Sequence, residues 1–112
     1  MNGSSSVSGN SASFGGGIGN GGTLTLNDSS SVSGNTASGG GGGIFNYSAT
    51  LTLNGSSSVS GNIADSDNDG FGTGGGISNC FGTLTGATND VNVNNNYLVS
   101  SSGTENNIAS CI

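Results

Sequence analysis

Residues 65–76 read DSDNDGFGTGGG and place three carboxylates at alternate positions, followed at once by a glycine. Asp65, Asp67, Asp69 and Gly70 match D-x-D-x-D-G, the opening of a calcium-binding loop. Alternating carboxylates suit Ca²⁺, a hard cation that takes roughly 6–8 oxygen ligands at ~2.3–2.6 Å. Gly70 permits the sharp turn that brings the Phe71 carbonyl back as a ligand, and Thr73 offers a hydroxyl, directly or through water. Gly76 stands where such loops carry a bidentate Glu, so a remaining ligand has to come from elsewhere or from water. The chain contains no Lys, Arg or His, so no basic side chain can neutralise the three acids. Calcium is the expected cofactor; a solvated acidic loop without an ion is the alternative.

Other chemistries find little material. The acids are Asp28, Asp65, Asp67, Asp69, Asp90 and Glu105, with no motif that opposes two of them as glycoside hydrolysis requires. Without His there is no Ser–His nucleophile, and an enzyme is not expected. Phosphate neutralisation needs Lys and Arg, which argues against nucleic acid. The same absence argues against anionic membrane surfaces. No apolar run approaches the ~20 residues of a spanning helix, so membrane insertion is not expected. The opening MNGSSSVSGN lacks the charged and apolar regions of a signal peptide, so Met1 is expected to open a mature segment, with export by another route as the alternative.

Cys80 and Cys111 are the only cysteines, 31 residues apart, and each lies three residues after an Ile of a repeated motif (Ile77, Ile108). Equivalent positions on neighbouring rungs are close enough for a disulfide, provided the side-chain torsions allow it. Two free thiols in a reducing host are the other reading.

The elements that must position these residues follow from the repeat. With 24 Gly, a net charge of −6 and Leu, Ile, Val and Phe just under a fifth of its 112 residues, the chain lies near the disordered class by composition alone. Phase argues against disorder. SSSVSGN occurs at 4–10, 29–35 and 56–62; TLTLN at 23–27 and 50–54, weakening to TLTGA at 83–87; GGGI at 15–18, 41–44 and 74–77. A fourth GGGI copy is hidden in ENNIASCI at 105–112.

Within TLTLN the period is two, the mark of a half-buried strand. Leu24, Leu26, Leu51, Leu53 and Leu84 are expected inward, and Thr23, Thr25, Thr50, Thr52, Thr83 and Thr85 outward. Ile18, Ile44, Ile77 and Ile108, and Val7, Val32, Val59 and Val93, hold single inward positions. Such short strands bury nothing alone but stack at ~4.8 Å per rung into columns, with Asn side chains bonding rung to rung. The predicted fold is an all-β parallel β-helix (β-solenoid) of about four coils of three short strands, a single domain over 1–112. Its corner after SSSVSGN varies in length and carries a longer insertion at 63–76, where loops of this kind hold function. No capping element is evident at either end, and Phe45 and Tyr47 are expected outward or at a corner.

GGGIFN…TLTLNGSSSVSGN resembles the repeats of right-handed parallel β-helix proteins of bacterial surfaces, of the polymorphic outer-membrane and autotransporter-passenger type. The resemblance implies a right-handed solenoid at the cell surface or outside the cell, and it covers essentially the whole chain. It specifies fold far better than task. The function expected is a non-catalytic structural or adhesive solenoid, calcium-stabilised, self-associating end to end into filaments through its exposed strand edges. A surface or glycan ligand at the insertion stays open. The alternative is binding of ice or another flat surface by the outward Thr-x-Thr array.

Overall fold

A computed structural model describes residues 1–100 and 102–111 of the chain. The first coil holds β1 (Ser6–Ser8), β2 (Ser11–Ala12), β3 (Ile18–Asn20) and β4 (Thr23–Leu26). The second holds β5 (Ser31–Ser33), β6 (Thr36–Ala37), β7 (Ile44–Tyr47) and β8 (Thr50–Leu53). The third holds β9 (Ser58–Ser60), β10 (Ile63–Ala64), β11 (Ile77–Cys80) and β12 (Thr83–Thr85); the fourth holds β13 (Val93–Asn94), β14 (Tyr97–Leu98) and β15 (Ile108–Ser110).

Each strand pairs in parallel with its copy in the next coil, giving sheets ordered β1-β5-β9-β13, β2-β6-β10-β14, β3-β7-β11-β15 and β4-β8-β12. The fold is therefore a parallel β-solenoid of about four coils. Like residues stack on like: Val7, Val32, Val59 and Val93 in one column, Ile18, Ile44, Ile77 and Ile108 in another, and Leu24, Leu51 and Leu84 in a third. The core is made of these columns. Val32, Ile44, Leu51, Val59, Ile77 and Val93 are fully buried, while Val7, Ile18 and Ile108 on the outer rungs are only half-buried. An outer rung has a packing neighbour on one side only.

Two expectations need correction. A fourth column, β2-β6-β10-β14, lies where the repeat suggested a corner. Its strands are two residues long, too short to show a period, and Ser-Ala, Thr-Ala, Ile-Ala and Tyr-Leu share little residue type. Part of the 63–76 insertion is therefore regular structure: Ile63–Ala64 is β10, and Gly74–Gly76 repeats the rung bonds of Gly41–Gly43.

The C-terminal end is also partly capped, because the chain folds back over it twice. Asn89 bridges Val93 beside β13, and Glu105 pairs antiparallel with Tyr97 beside β14. Their main-chain bonds include Asp90 N–H to the Val93 carbonyl (2.9 Å) and Leu98 N–H to the Thr104 carbonyl (2.9 Å). Covering an edge in this way blocks further strand pairing there. Ile112, the end of the fourth GGGI copy, lies outside the described residues.

Polar residues fill the corners. Asn10, Asn35, Asn62, Asn96 and Asn107 form a ladder at 2.9–3.1 Å: the Oδ1 of Asn35, Asn62 and Asn96 each accepts both the main-chain N–H and the side-chain NH₂ of the Asn one coil before it, and Asn107, 11 residues beyond Asn96 in the same coil, does the same for Asn96. A second ladder runs Asn20, Asn46, Asn79 through side-chain amides at 2.7 and 2.8 Å. Buried amides demand partners, and each rung supplies them for the next. The GGG motif has a steric cause: a Cβ at Gly42 would overlap the main-chain carbonyl oxygens of Gly75 and Ile63, both in the next coil.

Candidate functional site

The sequence after β10 leaves the rung at Asp65, which adopts a positive φ of 51°. The chain then turns back over the second coil. Asp65 N–H donates to the Gly39 carbonyl (3.0 Å) and Ser66 N–H to the Ala37 carbonyl (3.1 Å). Within the loop, Asn68 N–H bonds to the Asp65 carbonyl (3.0 Å), Asp69 N–H to Asp65 Oδ1 (3.1 Å) and Phe71 N–H to Asp69 Oδ1 (2.8 Å). These local turns, favoured by Asp and Asn side chains, draw the carboxylates of Asp65, Asp67 and Asp69 together. One oxygen from each lies within 4.8 Å of the others.

Asp65 is 5% exposed, whereas Asp67 and Asp69 stand in solvent. Burial of Asp65, reinforced by the Asp69 carboxyl beside it, pushes its carboxyl above the ordinary aspartate range. Asp65 therefore takes up a proton more readily folded than unfolded. It favours the fold increasingly as pH falls through its folded pKa and works against it when ionised above that.

The other residues expected at this loop are placed differently. Phe71 meets the cluster through its N–H bond to Asp69, while its ring is 78% exposed. Thr73 has its carbonyl oxygen committed to the Gly41 N–H (3.0 Å), so its exposed hydroxyl is the oxygen left for a ligand.

Beside the acids lies a cleft of about 250 Å³ that sequence reasoning missed. Phe14 from the first coil and Phe71 from the insertion line it, with Gly39 of the second coil between them and Asp67, Asp69 and Ser13 among its remaining lining. A Cβ at residue 39 would collide with the Phe14 ring and the Ser13 carbonyl, and a Cβ at Gly72 would overlap Gly39. Glycine at 39 lets the first coil close over this spot, and glycine at 72 lets the insertion do so from the other side. The exposed rings continue away from the cleft: Phe14 to Phe45 at 5.1 Å, Phe45 to Tyr47 and Tyr47 to Phe81 at 6.0 Å each. Phe45 is half-buried and Tyr47 exposed.

The Thr array lies in register on the β4-β8-β12 sheet, with Thr23, Thr50 and Thr83 in one row and Thr25, Thr52 and Thr85 in the other. Thr25 and Thr52 are half-buried and the rest exposed. Cys80 and Cys111 are joined as a disulfide with their Cα atoms 4.6 Å apart, tying β11 to the residue after β15.

A second acidic site, also missed, terminates the first Asn ladder. Asn107 Nδ2 donates to Asp90 Oδ1 and to Glu105 Oε2, each at 3.0 Å, and Asn95 N–H donates to the same Glu105 oxygen (3.2 Å). The bond from Asn107, with that from Asn95, holds the Glu105 carboxyl below the ordinary glutamate range. Its contribution to stability is present above the unfolded value and is lost as pH falls through the lower folded value. An NMR titration is expected to find Glu105 ionising below ordinary glutamate, and Asn107→Ala to move it back up. An unchanged titration in that variant would show that the amide does not hold it.

No family model matches the chain, and neither a curated protein nor a solved structure matches it.

Proposed function

We propose that this chain is a non-catalytic extracellular solenoid with a structural or adhesive role, stabilised by calcium at the Asp65–Asp69 corner. The observation that carries this reading is the contrast between columns and corner. β4 on β8 and β5 on β9 stack identical residues, while the added chain between β10 and Gly74 gathers three carboxylates. The fates of the other acids support it: Asp90 and Glu105 end the Asn ladder, and Asp28 accepts the Gly3 N–H at 2.9 Å. The Cys80–Cys111 pairing suits an oxidising, extracellular setting. So does the likeness of GGGI and TLTLN to bacterial surface repeats.

The residues at the corner fit a hard cation. Three carboxylates within 4.8 Å supply part of the oxygen shell that Ca²⁺ takes, and carbonyls or water would complete it. At a calcium concentration about 100 times Kd, binding adds about 2.7 kcal/mol, which for a domain this small raises Tm by roughly 10 °C. A thermal melt with and without calcium, repeated on Asp67→Asn/Asp69→Asn, reads this directly. A Tm indifferent to millimolar calcium would remove the ion from the proposal. Self-association is proposed through the first-coil edge, where β1, β2 and β3 end their sheets. Sedimentation velocity showing only monomer at high concentration would remove that part.

The in-register Thr rows favour one second reading, binding of ice or another flat periodic surface. Ordinary ice growth in a thermal-hysteresis assay at millimolar protein would eliminate ice as the ligand.

A further inference from the structure

We propose that the cleft between Phe14 and Phe71 is a binding site for a quaternary ammonium group with net positive charge, of the choline type. Three properties of the cleft select this chemistry. First, its charge is one-sided. Asp67 and Asp69 line it, the chain has no Lys, Arg or His, and the terminal ammonium of Met1 is bonded elsewhere, to the Thr25 carbonyl. A ligand that balances the carboxylates must be a cation.

Second, the walls are apolar and uncovered. Phe14 is 57% and Phe71 78% exposed, and aromatic rings attract cations electrostatically while giving them apolar contact. Third, the floor offers no hydrogen bonds to spare. Gly39 N–H already donates to the Ser13 carbonyl (2.7 Å), and the Gly39 carbonyl already accepts from Asp65 N–H (3.0 Å). A primary ammonium or guanidinium entering here would find its acceptors on the side of Asp67 and Asp69, while its N–H donors toward the rings and the glycine backbone would lose water without replacement. A quaternary ammonium has no N–H to satisfy, and its methyl surface suits rings and glycine backbone alike. At about 250 Å³ the cleft holds one small head group rather than a drug-sized ligand. The two carboxylates discriminate against a phosphate beside the ammonium, so choline is preferred to phosphocholine.

This site shares Asp67 and Asp69 with the proposed calcium corner, where a bound ion would neutralise them, so its test is run in EDTA. Choline and tetramethylammonium are titrated into the full chain by NMR, beside dimethylbutanol, the neutral isostere of choline. Choline is expected to bind about tenfold or more tightly than the isostere and more tightly than phosphocholine. Phe14→Ala and Phe71→Ala should each weaken it about tenfold. Phe81→Ala, whose ring lies outside the cleft, should leave it unchanged and guards against a general loss of fold. Equal binding of the neutral isostere, tighter binding of phosphocholine or of N-acetyl-lysine amide, or indifference to both cleft substitutions would overturn the assignment. Calcium uptake is read separately from Tm, so either proposal can fail alone.

Discussion

Gly42→Ala is expected to abolish the cooperative fold. The added methyl meets the carbonyl oxygens of Gly75 and Ile63, both main-chain atoms, so no side chain can swing aside to make room. Relief requires moving backbone that is already committed. Gly42 N–H bonds to the Gly74 carbonyl (3.1 Å), Gly43 N–H to the Gly75 carbonyl (3.0 Å) and Ile63 N–H to the Asn35 carbonyl (2.9 Å). Overpacking of this kind belongs to the exceptional class above about 4 kcal/mol, against a total stability of only about 5–15 kcal/mol for a small domain. Gly19→Ala is the matched control, since nothing lies within 4 Å of its Cβ position. It should stay within about 0.5 kcal/mol of the parent. Circular dichroism and urea unfolding measure both. A Gly42→Ala protein that still melts cooperatively near the parent midpoint would mean that the corner can open without loss of the rungs.

Asn62→Leu should be the most damaging replacement of a buried polar side chain. Asn62 is fully buried, and its Oδ1 accepts from Asn35 N–H (2.9 Å) and Asn35 Nδ2 (3.0 Å). Its Nδ2 donates to the carbonyls of Val32 (3.0 Å) and Ser60 (3.1 Å) and to Asn96 Oδ1 (2.9 Å). Leucine keeps the volume and removes every one of these bonds, leaving partners in two neighbouring coils unsatisfied. Each stranded buried group costs about 1–3 kcal/mol, so a total of about 3–6 kcal/mol follows. That equals or exceeds the about 2–5 kcal/mol expected for Leu51→Ala in the apolar column. Asn10→Leu, on the exposed outer rung, should cost far less. The test is the order of the three urea midpoints. Asn62→Leu more stable than Leu51→Ala would show that the apolar columns, and not the Asn ladder, dominate the interior.

Legibility in the sequence followed repetition. The Val, Ile and Leu columns, the outward Thr rows and the Asn stacking could be read because each is a phrase kept in phase over several coils. The acidic loop could be read because it interrupts that phase with a known spacing. Features present in a single copy could not. Asp90 and Glu105 end the Asn ladder from inside the least regular coil, where no second copy contrasts with them. The fourth strand column escaped because two residues cannot display a period. The cleft escaped because Phe14 and Phe71 come from different coils and meet only across Gly39, one glycine among 24.

The Asn ladder has a direction. Along the ladder each Oδ1 accepts from the Asn before it and each Nδ2 donates to the Oδ1 of the Asn after it, so the last amide, Asn107, offers its hydrogens to Asp90 and Glu105. Those carboxylates hold the donors that a rung beyond Asn107 would have to engage, and no such rung can be added directly there without displacing them. A longer rod of this kind is therefore made by duplicating a coil in the middle, between Asn35 and Asn62, where both faces of the copied unit already match their neighbours.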